Sequence, residues 1–234
     1  MNRFFEAFVS SFLPRRCAYC GKVVSDNIHA CKECEEKLPR IIAPVCLSCG
    51  REKKLCTCKN AEKYYDGIVA PFYFADNVRK GVHAFKFRGR VANADAYANE
   101  MSKTVLLNFS GIDFDFITSV PLTRKSRKAR GYNQCKLLAE RIGETLGIEY
   151  RDDILVKIFE TDKQHRITPK YRKGNLIGVF DVPQPLMVKN KVILLCDDIS
   201  TSGETLNECA KMLWLNGAEK VYCISLALTR HRKK

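Results

Sequence analysis

No apolar run in this chain approaches the roughly 20 residues that a membrane-crossing helix requires, so no helical anchor is expected. The nearest candidate, residues 4–13, is short and broken by Glu6 and two serines. It also lacks a small-residue cleavage site, so it reads as an amphipathic first helix rather than a secretory leader, and the cytoplasm is the expected compartment. Low-complexity tracts are missing, and no internal repeat is visible beyond a set of paired cysteines. Acidic side chains are in short supply: 26 Asp and Glu stand against 40 Lys and Arg, a net charge of +14. Dense basic runs fall at 124–130, 163–173 and 230–234. Such a surface favours nucleic acid or phosphate-rich small molecules. What the chain does have is apolar content, 46% of 234 residues, enough for one substantial core and a small accessory unit.

Cysteine is abundant and clustered. Eight of the twelve fall in pairs between positions 17 and 58: Cys17 and Cys20, Cys31 and Cys34, Cys46 and Cys49, Cys56 and Cys58. A CxxC turn followed by glycine, as at Cys17 to Gly21 and at Cys46 to Gly50, lets two thiolates face one ion while the glycine relieves the backbone. Consecutive pairs would hold two zinc ions, Cys17, Cys20, Cys31 and Cys34 the first, Cys46, Cys49, Cys56 and Cys58 the second. A disulfide framework suits small secreted chains and fits less well here. Spacing alone also admits an iron–sulfur cluster, and Cys56-Thr-Cys58 is tighter than the usual knuckle. Closed Cys₄ sites leave no position for substrate, so the metals are expected to be structural. Cys135, Cys196, Cys209 and Cys223 sit in apolar patterns and read as buried small hydrophobes.

The string VILLCDDISTSGET at 192–205 joins an apolar strand (192–196), two acids and a small-residue loop just before a helix. Open α/β sheets bind ligands at the carboxyl ends of their strands. Ser200, Thr201, Ser202, Gly203 and Thr205 offer hydroxyls and approachable backbone amides, and the helix beginning near Glu204 points its positive end at them. A phosphate suits that loop. Asp197 and Asp198 would repel a phosphate and are expected instead to accept hydrogen bonds from a ribose diol.

After a polar linker at 59–66, strands are expected at 68–75, 116–120, 154–158, 192–196 and 221–228, and helices at 78–87, 92–107, 132–146 and 205–216. The alternation predicts a doubly wound, mostly parallel α/β sheet. The division expected is 1–60 for the first helix and double zinc ribbon, and 61–234 for the sheet domain. The strand at 116–120 runs into a loop carrying Arg124, Lys125 and Arg127, cations suited to a pyrophosphate. Residues 160–175 form a long polar connection of the kind used as a lid. His165 within it reads as an exposed loop residue.

The 192–205 string resembles the phosphoribosyl pyrophosphate (PRPP) motif of type I phosphoribosyltransferases, departing from it at Ser202, often Thr, and Glu204, usually small. PLTRKSRKARGYNQ, TDKQHRITPKYRKGN and the 85–89 segment FKFRG resemble the ComF (ComFC-like) family in particular, in order along nearly the whole chain. The resemblance implies a sheet of the type I phosphoribosyltransferase kind behind the ribbon. It also implies PRPP bound with Mg²⁺, Asp197 and Asp198 on the ribose, and Arg124 and Lys125 on the leaving pyrophosphate. It implies a part in natural transformation, where single-stranded DNA is handled in the cytoplasm, with DNA-translocation proteins as partners. A non-catalytic nucleic-acid-binding adaptor that keeps the pocket as a sensor is the alternative.

Overall fold

The computed structural model describes residues 15–25, 27–58, 63–123, 127–128, 130–158 and 179–230. The expected first helix, Arg124, Lys125 and the 160–175 lid lie outside them. A five-stranded sheet is built from β1 (Gly67–Val69), β2 (Phe72–Tyr73), β3 (Phe116–Ser119), β6 (Val192–Ser200) and β7 (Lys220–Leu228). Its order is β1-β7-β6-β3, with β2 also on β7, and every pairing is parallel. Successive side chains of a strand point to opposite faces, and both faces are covered. On one, Ile117, Leu194, Cys196 and Ile224 pack with helices α2 (Asp76–Phe87), α3 (Asn93–Asn108) and α4 (Gln134–Leu146). On the other, Phe116, Ile193, Leu195 and Cys223 pack with α5 (Glu204–Leu215).

Several boundaries differ from expectation, each for a local reason. The single strand expected at 68–75 is two, because Pro71 between them has no amide to give to a ladder. Helix α4 starts at Gln134 rather than Tyr132, because Asn133 Oδ1 accepts from the amides of Cys135 and Lys136 at 3.0 and 3.4 Å. Gly147, at φ 71°, ends it in the left-handed region. The strand expected at 154–158 does not join the main sheet. That edge is taken by residues 149–151, whose backbone brackets Ile117, and only β4 (Val156–Lys157) forms beyond it, antiparallel to β5 (Phe180–Asp181).

The cysteine-rich segment contributes to the main core. Its short helix α1 (Lys32–Glu36) carries Cys34, and Cys17, Ala18, Tyr19 and Cys34 belong to the same buried cluster as Val69, Phe85 and Tyr97. The Tyr19 ring meets Phe72 and Tyr97 edge-on, each at 5.8 Å. The Ala18 carbonyl accepts from Tyr97 Oη at 2.7 Å and Asn93 Nδ2 at 3.1 Å. Gly81 of α2 makes this approach possible, since a Cβ there would stand 2.5 Å from that carbonyl.

Candidate functional site

Strand β6 runs through Asp197 and Asp198 to Ser200 instead of stopping at residue 196. Ile199 continues the ladder opposite Ala227, so the two acids lie within the carboxyl-terminal part of the sheet and are buried. The Val120 amide donates to the Cys196 carbonyl at 2.9 Å, so the loop leading to Arg124 and Lys125 is rooted beside the acids. Arg127, by contrast, is exposed on helical backbone before α4 and exerts its charge on Asp152.

A cation stands against the acids. Lys86 Nζ of α2 donates to Asp198 Oδ1 at 2.8 Å, and both side chains are largely buried. The Asp198 amide donates to Asp197 Oδ1 at 2.8 Å, and the Cys135 thiol approaches the same oxygen at 3.4 Å. Burial, then the charge of Asp198, pushes the Asp197 carboxyl up to about 7, against the opposing pull of the Asp198 amide and Lys86. Burial likewise raises the Cys135 thiol well above its ordinary value. Cys135, Asp197 and Asp198 are grouped closely enough to suggest a metal site. A protonated thiol and an ammonium at 2.8 Å make that cluster a poor cation cage.

Lys86 and Cys135 were not among the site residues expected from sequence. The signal for Lys86 was present: it lies four residues after buried Val82 and eight after Val78, on the apolar stripe of α2. A lysine on such a stripe needs an acid within reach. Cys135 carried no such signal, being indistinguishable from the other buried cysteines.

Asp197 gives a pH prediction. A carboxyl whose folded pKa is raised stabilises the fold fully below its unfolded value near 3.8, and that contribution is lost as pH rises towards about 7. Urea unfolding of wild type and Asp197→Asn should therefore show the wild type losing stability relative to the variant between pH 4 and 7. A constant difference across that range would contradict the assignment.

Beyond the acids, Ser200 is buried, Thr201 and Ser202 are exposed, and Gly203 takes φ 80° as the residue capping α5. The left-handed turn presents the first amides of α5, which have no intrahelical acceptor, towards the loop. The Ser202 hydroxyl accepts one of them, from Glu204, at 3.4 Å.

Both sets of four cysteines come together as the spacing predicts. A tetrahedron with Zn–S of about 2.3 Å has an S···S edge of about 3.8 Å. Cys20 and Cys31 are 3.7 Å apart, Cys46 and Cys58 3.6 Å, and Cys49 and Cys56 3.7 Å. Cys56 and Cys58 are closer, at 3.0 Å, as the shorter CxC spacing dictates. The two clusters fit two structural zinc sites, and all four ligands of each come from protein, so neither offers a position to substrate.

Fold and site define a double zinc ribbon joined to a parallel α/β sheet with two buried acids at the carboxyl end of one strand. Residues 8–64 match the double zinc ribbon domain. The chain is 30% identical over 217 residues to DNA utilization protein YhgH of Salmonella typhimurium, covering 91% of this chain and 90% of the relative. It is 26% identical over 234 residues to competence protein F of Haemophilus influenzae, covering 93% and 98%. With competence protein ComFC of Bacillus subtilis it shares 25% over 199 residues, covering 80% and 78%. The chain belongs to this ComF (ComFC-like) family. Among solved structures, purine phosphoribosyltransferase from Pyrococcus horikoshii aligns at 17% identity and a TM-score of 0.34, over 57% of this chain and 72% of the other. Among the described residues no helix is long and apolar enough to cross a membrane.

Proposed function

We propose that the chain binds PRPP with Mg²⁺ at the end of β6 and serves the handling of single-stranded DNA in the cytoplasm during DNA uptake. The observation that carries this reading is the sequence of groups along one strand end: two buried acids, then a hydroxyl-rich loop, then a helix amino terminus. The acids would hold the ribose hydroxyls, and Ser200, Thr201, Ser202, Gly203 and Thr205 the 5′-phosphate. Mg²⁺ would travel on the substrate's own oxygens and water, in keeping with its reluctance to dehydrate. Arg124 and Lys125 would neutralise departing pyrophosphate, with Lys86 as a further cation already at the acids.

Relatives named for DNA utilization and competence support the DNA part of the proposal. So does a cavity of about 460 Å³ between the first knuckle and α2, lined by Arg79, Lys80, His83, Arg88 and Arg90. The His83 ring lies 5.0 Å from exposed Phe87, and Arg130 sits over Phe87 at 5.4 Å. Cations flanking an exposed aromatic suit a single strand, whose bases stack while its phosphates are neutralised. Affinity for single-stranded DNA should fall at least tenfold between 50 and 200 mM salt through counterion release. Titrations at the two salt concentrations that agree would count against this mode.

The Lys86–Asp198 pair also favours a second reading, because it neutralises one diol acceptor in advance. In that case the pocket senses PRPP without turning it over. Pyrophosphate release from PRPP in the presence of bases, nucleotides or DNA separates the two: release supports transfer, and binding without release supports the sensor.

A further inference from the structure

The second cysteine knuckle, residues 46–58, lies against the phosphate loop. Its Gly50, at φ 71°, packs so closely on the sheet that a Cβ would stand 2.7 Å from Leu228 Cδ1 and 3.1 Å from the Ile68 carbonyl. The Ile68 amide donates to Leu47 of the knuckle at 2.8 Å.

Two chains of hydrogen bonds and contacts lead from there to the loop. In the first, buried Arg51 donates to the Cys49 carbonyl at 3.4 Å and, through Nε and Nη2, to the Thr229 carbonyl at 3.2 and 2.9 Å. Thr229 then donates from its amide to Ser200 and from its hydroxyl to Thr201, both at 3.1 Å. In the second, the Tyr65 hydroxyl donates at 2.9 Å to the carbonyl of Ser48, between two metal-ligating cysteines, and lies 3.7 Å from where a Cβ of Gly203 would be. Lys63 sits over the Tyr65 ring at 5.6 Å.

Between knuckle and loop is a cavity of about 230 Å³, lined by Arg51, Lys63 and Tyr65 on one side and the 200–203 loop on the other. Cys49 and Cys58 of the second metal site also line it, so an ion bound there would neutralise two thiolates and leave Arg51 and Lys63 to face a phosphate dianion. A small metal knuckle takes much of its folding free energy from its ion. The positions of Arg51 and Ser48, and through them of Thr229 and Tyr65, therefore depend on metal in the second site.

We infer that the second knuckle is a wall of the phosphate subsite, so that metal held by Cys46, Cys49, Cys56 and Cys58 and a phosphate monoester held by the 200–203 loop each raise the affinity for the other. The inference rests on the phosphate-loop reading above. Linkage between two bound species is reciprocal, so the coupling can be read from the metal side. Zinc-loaded wild-type protein is mixed with a chromophoric chelator, with and without saturating ribose 5-phosphate, whose binding is followed separately by calorimetry.

One of the two zinc equivalents should leave at least tenfold more slowly when the sugar phosphate is present, and the other at an unchanged rate. Cys20→Ser, altered at the exposed ligand of the first site, should keep the protected phase. Lys63→Ala should bind two zinc ions and lose about tenfold in affinity for ribose 5-phosphate. If ribose 5-phosphate binds but both zinc equivalents leave as fast as without it, the inference is overturned and the phosphate-loop reading stands. If it does not bind the zinc-loaded protein at all, both fall.

Discussion

Replacing Lys86 by methionine should destabilise the protein by about 3–5 kcal/mol, the range expected when one partner of a buried ion pair is removed and the other is left uncompensated. Lys86 and Asp198 have side-chain exposures of 15% and 8%, so solvent can do little to replace the lost ammonium. Methionine keeps the length and apolar stem of lysine, and α2 needs neither the charge nor the amine for its own packing. The loss should therefore be mostly electrostatic and mostly reversible. Lys86→Met combined with Asp198→Asn should recover a large part of it, because the acid that needed the cation is gone. Chemical unfolding of the two single variants and the double variant measures the coupling. Additive losses would mean that the pair contributes nothing as a pair.

Gly81→Ala should cost about 3 kcal/mol and release the first knuckle from the sheet domain. The new methyl would stand 2.5 Å from both the Ala18 carbonyl and the Tyr97 hydroxyl, and 3.1 Å from Tyr19 Cα. Two of these three neighbours are backbone, which cannot swing away as a side chain would, so the knuckle itself must move. Alanine is otherwise the better helix former by about 1 kcal/mol, and in an open position it would stabilise α2. A loss therefore reports on the docking alone. Tyr19, packed between Phe72 and Tyr97, would become exposed, and its fluorescence and the protease sensitivity of residues 15–38 would report it. An unchanged or raised stability would show that the ribbon does not depend on this contact.

Both predictions concern contacts between segments far apart in sequence, and there the sequence was least informative. The elements that could be read were those whose causes are local: the apolar stripe of α2, the stop of α4 at Gly147, the run of β6, and the cysteine pairs. Positions of the metal ligands needed only the spacing of four pairs. The errors arose where tertiary neighbours decide. Residues 154–158 have the composition of a strand, but the sheet edge they would need is taken by 149–151. Asp197 and Asp198 look like a strand terminus by polarity, yet β7 supplies ladder partners for three residues beyond the expected end, at Asp197, Ile199 and Ser200. Lys86 lies on the apolar stripe of α2, but that Asp198 is its acid shows only once α2 is laid over the end of β6. No pattern in residues 17–34 showed that a metal knuckle would share its core with Val69 and Phe85.

PRPP binding at the end of β6 is the central step of the proposed function. Calorimetric titration of the zinc-loaded protein with PRPP and Mg²⁺, beside Asp198→Asn, tests this most directly. Asparagine keeps the shape but removes a charge that accepts hydrogen bonds from the ribose, which should cost roughly 1.5–3 kcal/mol, about tenfold to a hundredfold in affinity. The account predicts saturable one-to-one binding by wild type and a loss of that size in the variant. Absence of binding by wild type, or equal binding by both proteins, would contradict it.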